Sequence, residues 1–118
     1  MEREDFEQLI IKILDSVPEN FKQRLENIDI VIDEESIKPS AREKSQKSRI
    51  TLALYHGVPL TERRGKSHFP DKITVFKKAV ESISKNPIDI EKNLRRVILH
   101  ELGHYFGLDE GRLKELGY

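Results

Sequence analysis

The stretch IEKNLRRVILHELGHYFGLDE, Ile90 to Glu110, decides how this chain folds. Ile90, Leu94, Val97, Ile98, Glu101, His104 and Tyr105 recur at helical spacing, so they share one side of a long helix. Asp89, a favoured N-cap, is predicted to start it. The same stripe is otherwise apolar and core-facing, yet it carries Glu101 and His104, and His100 lies one turn before His104. Burying such groups is costly unless they are paired or bound to a metal.

In a helix, side chains four residues apart lie one above the other, about 5–6 Å apart at Cβ. His100 and His104 can therefore each offer a ring nitrogen to one ion. Glu101 sits beside them, placed to take a proton from a metal-activated water without being a ligand. The bare H-E-x-x-H pattern has only three fixed positions, and its place on an apolar helix face is what gives it weight. Gly107 follows, where a helix can end with glycine in the left-handed conformation and the chain can turn back. Two acids come next, Asp109 and Glu110. Asp109 precedes EGRLKELGY, whose Leu113 and Leu116 predict a last short helix, and aspartate is a good N-cap. If Asp109 caps that helix, its carboxylate is occupied. The capping argument favours Glu110 as the third metal ligand, with Asp109 the alternative.

Working outward, Phe6, Leu9, Ile10, Ile13, Leu14 and Val17 predict an amphipathic N-terminal helix ended by Pro18. PENFKQRL reads as a short second turn with proline at its start. IDIVID alternates, with Ile28, Ile30 and Ile32 on one face of a strand. RITLALYHG gives a second strand, Ile50, Leu52 and Leu54 alternating against Thr51, Ala53 and Tyr55, broken by Gly57 and Pro59. KITVF (Lys72 to Phe76) gives a third strand, and KKAVESISK a short helix that stops before Asn86-Pro87. The two intervening stretches are polar loops. The first holds Lys38, Arg42, Lys44, Lys47 and Arg49, but Glu34, Glu35 and Glu43 beside them favour a solvated loop over a binding patch.

The chain has 118 residues, which suits one domain over 1–118. Lys+Arg and Asp+Glu both number 21, and this zero balance argues against a general nucleic-acid or membrane-surface binder. Without cysteine, a metal must be held by His, Asp or Glu. The N-terminus lacks the apolar core of a signal peptide and no apolar run spans a bilayer, so a cytoplasmic protein is expected.

HELGHYFGLDEGRLKELGY resembles the signature of the minimal zincin-like metallopeptidases, small bacterial proteins long grouped as a domain of unknown function. LALYHGVPLTERR and FPDKITVFKKAVE are similar to that family's LYxGxPLxxR and PDxIxxY stretches, so the likeness runs from about Ile28 onward. It implies an α+β minimal zincin-like fold: a small three- or four-stranded sheet on an active-site helix, with the N-terminal and short C-terminal helices added. It also points to the position of Glu110 as third ligand, where extended H-E-x-x-H-x-x-G-x-x-H motifs carry histidine. Met1 is the only methionine, so the methionine turn of the metzincins is absent.

The remaining candidates have plainer readings. His56 and His68 suit exposed loop positions. Tyr55, Tyr105 and Tyr118 are candidates to polarise a carbonyl, although Tyr105, next to His104, suits the core. Arg63 and Arg64 can meet a substrate carboxylate but as loop arginines usually face water. The expected function is zinc-dependent hydrolysis of peptide bonds, with Zn2+ on His100, His104 and Glu110, Glu101 as general base, and a peptide or protein substrate. The alternative is a non-catalytic zinc-binding module acting through a protein partner. A weaker third is a nucleic-acid accessory protein using the basic loop, against which the zero charge counts.

Overall fold

The computed structural model describes residues 1–25, 28–37, 50–57 and 71–115. The basic residues Lys38, Arg42, Lys44, Lys47 and Arg49 lie outside these, as do Pro59, Arg63, Arg64, His68, Leu116 and Tyr118.

Helix α1 (Arg3–Asp15) buries Phe6, Ile10 and Ile13, and Val17 just beyond it is buried too. Pro18 then opens α2 (Glu19–Lys22), its carbonyl accepting from the N–H groups of Phe21 and Lys22, as the proline predicts. Strand β1 (Ile28–Asp33) matches the alternating IDIVID. It ends where the Asp33 carboxylate accepts from the N–H groups of Glu35 and Ser36 at 3.0 and 2.9 Å, a local turn that competes with further strand. Then come β2 (Ala53–His56), β3 (Asp71–Phe76), α3 (Lys77–Ser82), α4 (Pro87–Tyr105) and α5 (Glu110–Glu115).

The class is α+β, and the sheet has three strands in the order β1-β3-β2. β3 is central, parallel to β1 and antiparallel to β2. It buries Ile73, Val75 and Phe76, as a strand paired on both sides should.

Two expectations need correcting. β2 is shorter than RITLALYHG, and its inward pair is Ala53 and Tyr55, opposite Val75 and Ile73 of β3, while Leu54 on the other face is 36% exposed. The helix α4 needs small Ala53 and flat Tyr55 beneath it, and the Tyr55 ring meets Tyr105 of α4 edge-on with centroids 6.0 Å apart. The second correction is the start of α4: its N-cap is Asn86, not Asp89. Asn86 Oδ1 accepts from Asp89 N at 2.9 Å, and Pro87 takes the first helical position, where its missing N–H costs nothing. Asp89 instead reaches back, its Oδ2 accepting from Lys85 N at 3.1 Å.

One face of the sheet is covered by α1 and α4. Phe6, Ile10 and Ile13 meet Leu94, Ile98 and Leu102 above Ile32, Ala53, Ile73 and Val75. Each of these large side chains contributes about 1.5–3 kcal/mol by leaving water, which fixes where α4 lies. Polar ties at the rim agree: Lys12 pairs with Glu91 at 2.7 Å, and Arg95 donates to Ser16 Oγ at 2.8 Å. The C-terminal half of α4 is thereby held against the edge strand β2.

Candidate metal centre

His100 and His104 stand at the margin of the buried stripe of α4, with side chains 22% and 20% exposed. The four-residue spacing turns both rings to one point. Their Nε2 atoms are 3.2 Å apart, with the ring planes inclined at 75°.

The helix ends just beyond them. Gly107 adopts φ +87°, its N–H donates to His104 O at 2.9 Å, and Leu108 N donates to Gly103 O at 2.9 Å. That pair of bonds, one nested in the other, is the glycine-terminated helix end that the sequence predicts. Asp109 then caps α5 as expected, its Oδ1 accepting from Arg112 N at 2.8 Å. Glu110 opens α5 and turns back to the histidines: Oε1 lies 3.0 Å from His104 Nε2, and Oε2 lies 3.4 Å from His100 Nε2.

Gly103 makes this approach possible, and sequence reasoning passed over it. A Cβ at Gly103 would lie 2.1 Å from Leu113 Cδ2, so α5 packs directly on the bare backbone of α4. Leu113 is fully buried there. The available signal was a glycine inside a strongly periodic helix, where it costs stability and so marks a close approach.

Two glutamates flank the imidazoles. A Glu101 carboxylate oxygen and one nitrogen from each ring lie within 4.8 Å of one another, so His100, Glu101 and His104 form a group that can hold a metal ion. Glu110 also reaches the rings, with one carboxylate oxygen near each Nε2. Both glutamates thus stand at the two rings, Glu101 from within α4 and Glu110 from the start of α5. Ligand atoms about 2.0–2.2 Å from one tetrahedral ion lie ~3.3 Å apart. The 3.2 Å between the two Nε2 atoms matches that spacing, and imidazoles with a carboxylate can hold a metal ion.

The other candidates are placed differently. Tyr105 is 1% exposed and its hydroxyl donates to Arg24 O at 2.7 Å, so it belongs to the core. The Tyr55 hydroxyl donates to Oδ2 of Asp71 at 2.5 Å. Asp71 is 2% exposed and was not singled out by the sequence. Gly57, at φ +152°, lies over it so closely that a Cβ would fall 2.3 Å from Asp71 Cγ. His56 is exposed at the end of β2.

An α+β fold whose longest helix ends in a His-Glu-His cluster able to hold a metal ion is the architecture of a small zincin-like domain. The family model described as zincin-like metallopeptidase matches residues 25–118, and the chain belongs to that family. A conserved hypothetical protein from T. thermophilus has a similar solved structure, with a TM-score of 0.62 at 22% identity, covering 90% of this chain and 94% of that one. At that identity the likeness shows the shared fold alone. No curated protein matches the chain. Among the described residues, no helix is long and apolar enough to cross a membrane.

Proposed function

We propose that the protein is a zinc-dependent peptidase in which His100, His104 and Glu110 hold the metal and Glu101 is the general base. The observation that carries this reading is the convergence of both Nε2 atoms and the Glu110 carboxylate at 3.0–3.4 Å. Asp109, the alternative third ligand, is committed to capping α5.

Zinc with three protein ligands keeps a fourth position open, lowers the pKa of water towards neutrality and polarises a carbonyl. The chain's residues do the rest. Glu101 follows His100 on the helix, so its carboxylate stands beside the two imidazoles. There it takes the proton of the attacking water and hands it to the leaving amine. A purely structural zinc normally has four protein ligands and needs no such carboxylate. Gly103 and Leu113 set the position of α5, and with it Glu110.

The test is a paired metal analysis and peptide-hydrolysis screen on native and Glu101→Gln protein. About one zinc per chain is expected in both, with hydrolysis only in the native protein. If Glu101→Gln loses zinc as fully as His100→Ala, the roles are misassigned. If both proteins bind zinc and neither cleaves any peptide, the centre is a structural zinc acting through a protein partner.

A further inference from the structure

Among the described residues, one side of α4 is open. Lys92, Arg95, Arg96 and Leu99 follow one another at i, i+3, i+4 and i+7, and with Ile83 and Asp89 they line a groove of about 490 Å³. Three cations there face one carboxylate, and Asp89 already accepts from Lys85 N. Arg95 and Arg96 donate to the neutral oxygens of Ser16 and Asn93, and among the described residues none of the three cations has a carboxylate partner. Several described cations elsewhere are paired: Arg3 with Glu7 and Glu34, Lys12 with Glu91, Lys77 with Glu81 and Arg112 with Glu115. The groove is thus a local positive field on a chain of zero formal charge.

It also leads to the metal centre. Arg96 stands one turn before His100, and such neighbours have Cβ atoms about 5–6 Å apart. From Asp89 to Arg96 the helix runs ~10 Å, the length of about three residues of extended peptide. Ile83, 43% exposed, and the partly buried Leu99 add apolar surface between the cations.

We propose that this groove binds an acidic stretch of peptide, so that the favoured substrates carry Asp or Glu within a few residues of the cleaved bond. The groove's role as part of a substrate site rests on the peptidase reading; its preference for acidic peptide does not. Side chains of Asp or Glu supply the missing carboxylates, and the apolar pair takes the peptide's aliphatic parts. A nucleic acid fits less well, since a phosphate backbone has no use for Ile83 and Leu99 and the whole chain lacks a positive excess.

The test uses the full chain, both stripped of metal with EDTA and loaded with zinc as Glu101→Gln, titrated with fluorescent octapeptides by anisotropy. An acidic octapeptide is compared with its counterpart in which every Glu is Gln, and with an oligo-dT of the same length. Tighter binding of the acidic peptide, by about tenfold or more in either form, is expected, weakening as salt shortens the range of the charges. Lys92→Glu with Arg96→Glu should abolish the preference, and Lys92→Gln with Arg96→Gln serves if charge reversal impairs folding. Equal binding of the two peptides in both forms overturns the inference, as does a preference that survives both variants. Oligo-dT binding as tightly as the acidic peptide, through the same residues, overturns it too. A preference alongside zinc-loaded native protein that cleaves no peptide leaves the groove assigned and removes the peptidase reading; cleavage by the native protein that is indifferent to acidic residues does the reverse.

Discussion

Replacing Gly103 by alanine puts a methyl carbon 2.1 Å from Leu113 Cδ2 and 3.2 Å from its Cγ. Carbon atoms settle about 3.5–4.0 Å apart, so α5 must withdraw by ~1.5 Å or Leu113 must leave its pocket. Glu110 rides on α5, three residues before Leu113. The same withdrawal would carry its carboxylate from 3.0 and 3.4 Å to beyond hydrogen-bond reach of both imidazoles. Overpacking costs about 1–3 kcal/mol, and alanine in place of a helical glycine returns about 0.5–1 kcal/mol. The metal-free protein should therefore lose little stability, at most ~2.5 kcal/mol. Zinc affinity should fall by at least the 10–100-fold typical of losing a supporting partner. Competition with a chromophoric chelator reads the affinity, and thermal melts without metal read the stability. Adding Leu113→Ala should restore part of the zinc affinity while lowering Tm further, since a buried leucine cut to alanine costs about 2–5 kcal/mol. Gly103→Ala protein that binds zinc as tightly as the native protein would refute the claim that this contact positions Glu110.

Glu110→Ala should weaken zinc binding sharply, whereas Asp109→Ala should cost about 0.5–2 kcal/mol of stability as a lost cap and leave affinity nearly unchanged. Zinc titrations and melts of both variants decide between them, and the opposite pattern would make Asp109 the ligand. The Glu81 carboxyl is held below the usual range chiefly by the N-terminal ammonium 2.8 Å away, aided by Lys77 and opposed by partial burial. A depressed carboxylate stabilises the fold above its ordinary pKa and loses that contribution as pH falls through the folded value. Glu81→Gln should therefore lower Tm at neutral pH, and the gap from native protein should close in melts taken at progressively lower pH.

What the sequence made legible was local. The spacing of Phe6, Ile10 and Ile13, the alternation of IDIVID, the four-residue step from His100 to His104 and the turn at Gly107 are each decided within a few residues. Asp109 as a cap belongs with them. The parts misread or overlooked depend on elements far apart in the chain. Ala53 and Tyr55 face inward because α4 lies over β2, and that contact leaves no mark in the pattern of strand residues. Asn86 outcompetes Asp89 because Pro87 follows it, and Asp89 then finds work at Lys85. Gly103 and Gly57 look like ordinary small residues until Leu113 and Asp71 are seen lying against them. Asp71 lies between Pro70 and Lys72 at the end of a polar stretch in sequence, yet is buried where it begins the central strand.

The strand order carries a consequence for how the molecule is made. β3, which both other strands need, is the last of the three to leave the ribosome. Until it emerges, β1 and β2 have unsatisfied edges and cannot substitute for one another, since they are not neighbours in the finished sheet. Pairings between segments so distant in the chain form slowly, and unpaired edges invite the wrong partners meanwhile. Only after β3 is seated does α4 have a complete sheet to lie on. Synthesis therefore delays the docking of α4 until the sheet is complete, so a seated α4 marks a chain whose strands have all found their partners.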